Sequence, residues 1–149
     1  MNFPDFGGRV IFETLTTSAG AGRISLGDTT IEASGGAAGR IEMHAGGNIT
    51  MSSLVADTFG FSFPTNNNTS EIAQGIFLET NGGTISTTGE MTLRASGSIG
   101  VYGQDGGLVS AGGNLTMAAD DQVDLRGQTG NPTVSTGGDF LITAGNSIS

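Results

Sequence analysis

The sequence predicts an all-β fold, a right-handed parallel β-helix with about three short strands per coil, on three observations. A seven-residue phrase recurs as Ile85-Ser-Thr-Thr-Gly-Glu-Met91, Val109-Ser-Ala-Gly-Gly-Asn-Leu115 and Val134-Ser-Thr-Gly-Gly-Asp-Phe140, at spacings of 24 and 25 residues. Periods of that size built from strand-like units mark stacked repetitive architectures. Within the copies, apolar residues alternate with polar ones, as in Met91-Thr-Leu-Arg-Ala95 and Leu115-Thr-Met-Ala-Ala119, so one set of side chains faces a core and the other faces water. Helix is opposed throughout, because no stretch of ten residues combines apolar spacing at three and four with freedom from Gly, β-branched clusters and turn signals.

From Gly89 onward the register is plain. One coil reads as strands at Glu90 to Ala95, Ser98 to Tyr102 and Leu108 to Ala111, and the next as Asn114 to Ala119, Gln122 to Arg126 and Thr133 to Thr136. A second apolar alternation begins eight residues after the first in each unit, from Met91 to Ile99, Leu115 to Val123 and Phe140 to Ile148, and the pair Ile41 and Ile49 is read as the same offset. Before Gly89 the units are longer, with strands expected at Gly8 to Thr14, Gly22 to Gly27, Thr30 to Ala33, Gly39 to Ala45 and Gly47 to Ser52. The pattern breaks at 57–72, read as a loop inserted between coils, and no register can be assigned between Leu54 and Thr84. The 149 residues form one segment, and Ser147-Ile148-Ser149 stopping within a strand leads us to expect a piece of a longer repetitive protein.

Composition narrows the function. A net charge of −9, with five Arg and no Lys, opposes binding to a phosphate backbone, so no nucleic-acid partner is expected. Zero Cys removes disulfides and thiolate metal sites. No stretch has the apolar length of a membrane span, so no membrane insertion is expected, and Met1 to Phe6 lack the basic and apolar regions of a secretory signal. The 27 Gly against three Pro supply tight corners.

The units Gly46-Gly-Asn-Ile-Thr-Met51 and Gly112-Gly-Asn-Leu-Thr-Met117, joined by Ile/Val-Ser-Thr/Ala corners, resemble the repeats of filamentous-haemagglutinin-like exoproteins, the large adhesins of two-partner secretion. The resemblance runs from about Gly8 to Ser149. It implies a β-helical shaft segment of a secreted or cell-surface protein, working without enzyme activity or cofactor. A partner in the outer membrane for export and a glycan or surface protein as contact are implied with it. The chain has no counterpart of that family's amino-terminal secretion domain.

Several residues are candidates for chemistry. Phe59, Phe61 and Phe63 alternate ahead of Asn66, Asn67 and Asn68, an arrangement that can stack on sugar rings from a protruding loop or fold back to seal the shaft. Asp120, Asp121 and Asp124, with Arg126 on the same face as Asp124, are a candidate acid site, set against a solvated corner. His44, the sole imidazole, points outward beside Glu42 and lacks the companions a metal would need, so no metal is expected. Gly103 to Gly107 reads as a tight corner. Asn48-Ile-Thr50 and Asn114-Leu-Thr116 fit the glycosylation sequon but are better explained as corners. Two rival functions remain. One is a carbohydrate-active β-helix enzyme, a polysaccharide lyase or glycosidase, which requires a groove lined by carboxylates of neighbouring coils. The other is a carbohydrate-binding module built on the Phe59 to Phe63 loop.

Overall fold

A computed structural model describes residues 9–17, 20–33, 39–59, 75–129 and 133–149. Sixteen strands and no helix occur among them. In chain order they are β1 (Arg9–Thr14), β2 (Thr16–Thr17), β3 (Gly20–Ala21), β4 (Arg23–Ala33), β5 (Arg40–Ala45), β6 (Asn48–Thr58), β7 (Gly75–Asn81) and β8 (Thr84–Thr87). There follow β9 (Met91–Ala95), β10 (Ser98–Gln104), β11 (Leu108–Ala111), β12 (Leu115–Ala119), β13 (Gln122–Thr129), β14 (Thr133–Thr136), β15 (Phe140–Ala144) and β16 (Ser147–Ile148). All pair in parallel except the short antiparallel ribbon of β2 and β3.

Two sheets are built by repeated passes of the chain. The first has the order β1-β5-β7-β10-β13-β16. The second begins with β4 on β6 and then forks: the first half of β6 pairs with β8, followed by β11 and β14, while its second half pairs with β9, followed by β12 and β15. Each pass lies one strand above the last. Along the first sheet, Val10, Ile41, Ile76, Ile99, Val123 and Ile148 are successive register partners, so the pass lengths are 31, 35, 23, 24 and 25 residues.

Register converts the alternation into internal columns. Ala56, Leu93, Met117 and Ile142 form one such column, and Leu54, Met91, Leu115 and Phe140 form another. Leu54, Met91, Leu93, Leu115 and Met117 are essentially inaccessible to water, and burying each such side chain stabilises by about 1.5–3 kcal/mol. The upper ends of the columns are open, with Phe140 and Ile148 exposed.

The corners are tight enough to require glycine at particular points. Gly75 begins β7 at φ 118°, a region that L side chains rarely adopt, and a Cβ there would run into the Ser98 carbonyl of the next pass. A Cβ on Gly112 would meet the Thr88 backbone directly below. Asn114 acts within such a corner, its Oδ1 accepting the Asp139 N–H at 2.9 Å. The Gly103 to Gly107 corner contains a turn at Asp105 and Gly106, both with positive φ.

Three readings of the early repeats need correction. The strands expected at Gly22 to Gly27 and Thr30 to Ala33 are one continuous β4, because the ladder to β6 keeps its register across Gly27, with Leu26 opposite Met51 and Asp28 opposite Ser53. Asp57 and Thr58, expected at the start of the inserted loop, belong to β6 and pair with Arg94 and Ala95, while residues 60–72 of that expected loop lie outside the described residues. The offset from Ile41 to Ile49 differs in kind from its supposed counterparts. It carries the chain from the first sheet to the second, whereas Met91 to Ile99 carries it from the second to the first. The Gly-Gly-Asn phrase also serves two different corners, leading from the first sheet to the second before Ile49 and from β11 to β12 within the second sheet before Leu115.

Candidate functional site

The outward columns of the first sheet hold the densest polar chemistry among the described residues. One column reads Ile11, Glu42, Phe77, Gly100 and Asp124, and the next reads Glu13, His44, Glu79, Tyr102 and Arg126. Period-two alternation on β1, β5, β7, β10 and β13 puts all ten on one face. Two carboxylates on that face are nonetheless buried, Glu42 and Asp124, each with 2% of its surface accessible.

Glu42 is buried by its own partners. Arg9, one strand below, donates from Nε to Glu42 Oε1 at 2.7 Å and from Nη2 to Oε2 at 3.0 Å, a two-pronged grip. Arg40, two residues earlier on β5, also pairs with it, and His44 Nε2 lies 2.8 Å from its Oε2. Burial by itself would raise the Glu42 carboxyl. The hydrogen bonds from Arg9 and His44 and the charges of Arg40 and Arg9 outweigh it and hold the group at about 2.

His44 joins two passes of the chain. Its Nδ1 lies 2.8 Å from Oε2 of Glu79, its register partner on β7. Desolvation pulls the imidazole down, but the hydrogen bonds and charges of Glu42 and Glu79 prevail and raise it above its ordinary value. The side chain is 28% exposed, so the lone outward imidazole expected from sequence is instead a bridged one. Its ring is tilted against Phe77 at 5.7 Å, and Phe77 stacks on Tyr102 at 4.8 Å.

Farther along the face, Asp124 accepts from Arg126 Nε at 2.8 Å, from the Tyr102 hydroxyl at 3.2 Å and from the Ser149 hydroxyl at 3.4 Å. Burial, then the charge and hydrogen bond of Asp124, push the Tyr102 phenol up to about 12. The candidate acid site is therefore divided. Asp124 is buried on the sheet face, Asp121 lies at the corner bound to Ser98 and Asn146, and Asp120 is exposed beside it. For Asp124 this replaces the expected solvated corner, because Tyr102 of β10 covers it on one side and Ser149, just past β16, on the other. Of the aromatic loop, Phe59 is half exposed just past β6, whereas Phe61, Phe63, Asn66, Asn67 and Asn68 lie outside the described residues.

A groove of about 730 Å³ opens beside the Glu42 cluster. Glu13, Glu42 and Glu79, from three successive strands of the first sheet, line it together with His44 and Arg9, and Leu15 adds an apolar wall. Sequence reasoning noted Glu42 only as a neighbour of His44 and passed over Glu79; the Arg40-x-Glu42-x-His44 alternation, three ionisable groups on one side of one strand, is the signal that could have marked Glu42, whereas Glu79 has none before the strands are in register. Among the described residues no group of three or more His, Asp or Glu is arranged to hold a metal ion. No family model, curated protein or solved structure matches this chain.

Proposed function

We propose that the chain winds as a right-handed parallel β-helix and serves as a structural shaft segment of a secreted or cell-surface adhesin, similar to the filamentous-haemagglutinin-like exoproteins. The observation that carries this reading is the repeated parallel pass, each returning to the first sheet one strand higher with its apolar residues over those below. Parallel crossovers within a sheet are right-handed in nearly all proteins, which supports the hand. In such a stack each coil touches only its neighbours and adds about 4.8 Å of length, so stability and reach both grow with coil number. Export would require an outer-membrane partner, and contact with a glycan or surface protein would fall to the segment after Phe59.

The groove gives specific support to a second reading, a carbohydrate-active β-helix, because carboxylates from neighbouring strands line it. One set of measurements separates the two. Glycan-array binding by the intact chain that is lost when Phe59, Phe61 and Phe63 are all replaced by Ala assigns the glycan contact to that loop, the result that a carbohydrate-binding module built on it requires. Binding unchanged by that replacement removes the loop from the proposal. Polysaccharide cleavage that disappears in Glu79→Gln would replace the shaft with the enzyme.

A further inference from the structure

We propose that His44 is a proton-operated latch, tying β5 to β7 across the outer face and setting the charge of the groove beside it. The inference starts from the geometry of the ring and its partners and is independent of the function proposed above. Both ring nitrogens of His44 face carboxylate oxygens at 2.8 Å, Nε2 toward Glu42 on its own strand and Nδ1 toward Glu79 on the next pass. A carboxylate only accepts hydrogen bonds, and a neutral imidazole has one N–H to give. Only the imidazolium satisfies both contacts; the neutral ring turns a lone pair toward one of the two oxygens.

The surroundings decide which contact fails. Glu42 retains Arg9 and Arg40 whatever the state of the ring. Glu79 has no other ion pair among the described residues, so Glu79 is the group released. The remaining groups facing the ring enforce the same outcome. Glu13 of β1 is its register partner from below, Asp105 stands on the groove wall, and Phe77 and Tyr102 offer rings without cationic charge. Protonated, the column Glu13, His44, Glu79 alternates in sign. Deprotonated, it presents two carboxylates to the groove with a neutral ring between them, and the outer-face link between β5 and β7 is gone while the backbone ladder stays.

The sign follows from linkage. Because the closed latch raises the imidazole above its ordinary value, its stabilisation is complete below about pH 6.5 and is lost as pH climbs through the higher closed-state value. The opening constant then rises about tenfold for every pH unit separating the closed-state from the open-state pKa.

The chain contains a single His, so its ring signals can be titrated by NMR in the intact protein without assignment. The latch requires a midpoint above 6.5 in the native chain, moved back toward that value in Glu79→Gln. It also requires amide exchange of β5 and β7, corrected for intrinsic rates, to show a larger opening constant at about pH 9 than at about pH 6, with the difference abolished in His44→Gln. A native midpoint at or below 6.5, or the same pH response of β5 and β7 in His44→Gln, overturns it. Should His44→Gln fail to fold, Glu79→Gln decides alone, since it keeps the ring and removes only the released charge; an unmoved midpoint and an unchanged pH response there refute the latch.

Discussion

Replacing Leu93 by Ala tests the internal columns directly. Leu93 has no accessible surface and sits between Ala56 below and Met117 above, both also fully buried in the same column. Truncation removes three carbons, worth about 2.4 kcal/mol at roughly 0.8 per buried methylene, and the ladder hydrogen bonds on either side prevent the passes from closing the gap, so a cavity term adds to the loss. The neighbour below, Ala56, is too small to reach into the space, which leaves Met117 above as the one column neighbour long enough to relax toward it. A total of about 3–4 kcal/mol is expected. Ile142→Ala, two positions higher in the same column and only partly buried, should cost about 1–2 kcal/mol, because much of its surface is already wet. Urea unfolding followed by circular dichroism gives both values from the midpoints at constant slope. Equal costs at the two positions, or a loss under about 1 kcal/mol at Leu93, would show that these side chains do not share an enclosed column and would refute the reasoning.

Three other outcomes follow from the site and the corners. Between pH 4.5 and about 2 the chain should lose about 3 kcal/mol through Glu42, whose folded carboxyl is held down near the lower value, so its contribution is intact above 4.5 and vanishes on acidification; Glu42→Gln should remove that part of the acid dependence and cost a similar amount at neutral pH, by leaving Arg9 and Arg40 without their carboxylate. Asp124→Asn should lower the Tyr102 phenol from about 12 while burial, the larger cause, still holds it above its ordinary value, read by phenolate absorbance, since the chain has one Tyr and no Trp to confuse the signal. Gly75→Ala should lower the thermal midpoint by more than 10 °C or prevent folding, because it combines a left-handed φ with a clash against the Ser98 carbonyl, whereas Gly82→Ala, with φ 69° but open space around it, should cost only about 1–2 kcal/mol.

Much of the architecture was legible because the physics that specifies it is local. Alternation at Met91 to Ala95 and Leu115 to Ala119 predicted which side chains enter the core, and the recurrence of Val109 and Val134 at near-constant spacing gave the register that β11 and β14 adopt. Legibility failed where corners vary. Strands β4 and β6 run without interruption through Gly27 and Ser52-Ser53, which look like ends in sequence, and the Gly-Gly-Asn phrase before Ile49 and before Leu115 signals a corner without saying which one. The site was hidden for a different reason. Glu42 meets Arg9 from 33 residues away and His44 meets Glu79 across 35, so neither contact exists until two irregular passes are placed in register. By contrast, Asp124 and Arg126, two residues apart on one strand, were placed on one face by alternation alone, although their hydrogen bond to each other was not expected.

Strand β6 has a mechanical consequence. It is eleven residues long, hydrogen-bonded to β4 along one edge and to both β8 and β9 along the other, so it clasps together what higher up are two separate ribbons. Tension applied to the two ends of the chain would peel the short strands near Ser149 one at a time, each held by two to five residue pairs. At β6 the ladder to β4 is ten residue pairs long, making it the point at which unravelling meets most resistance.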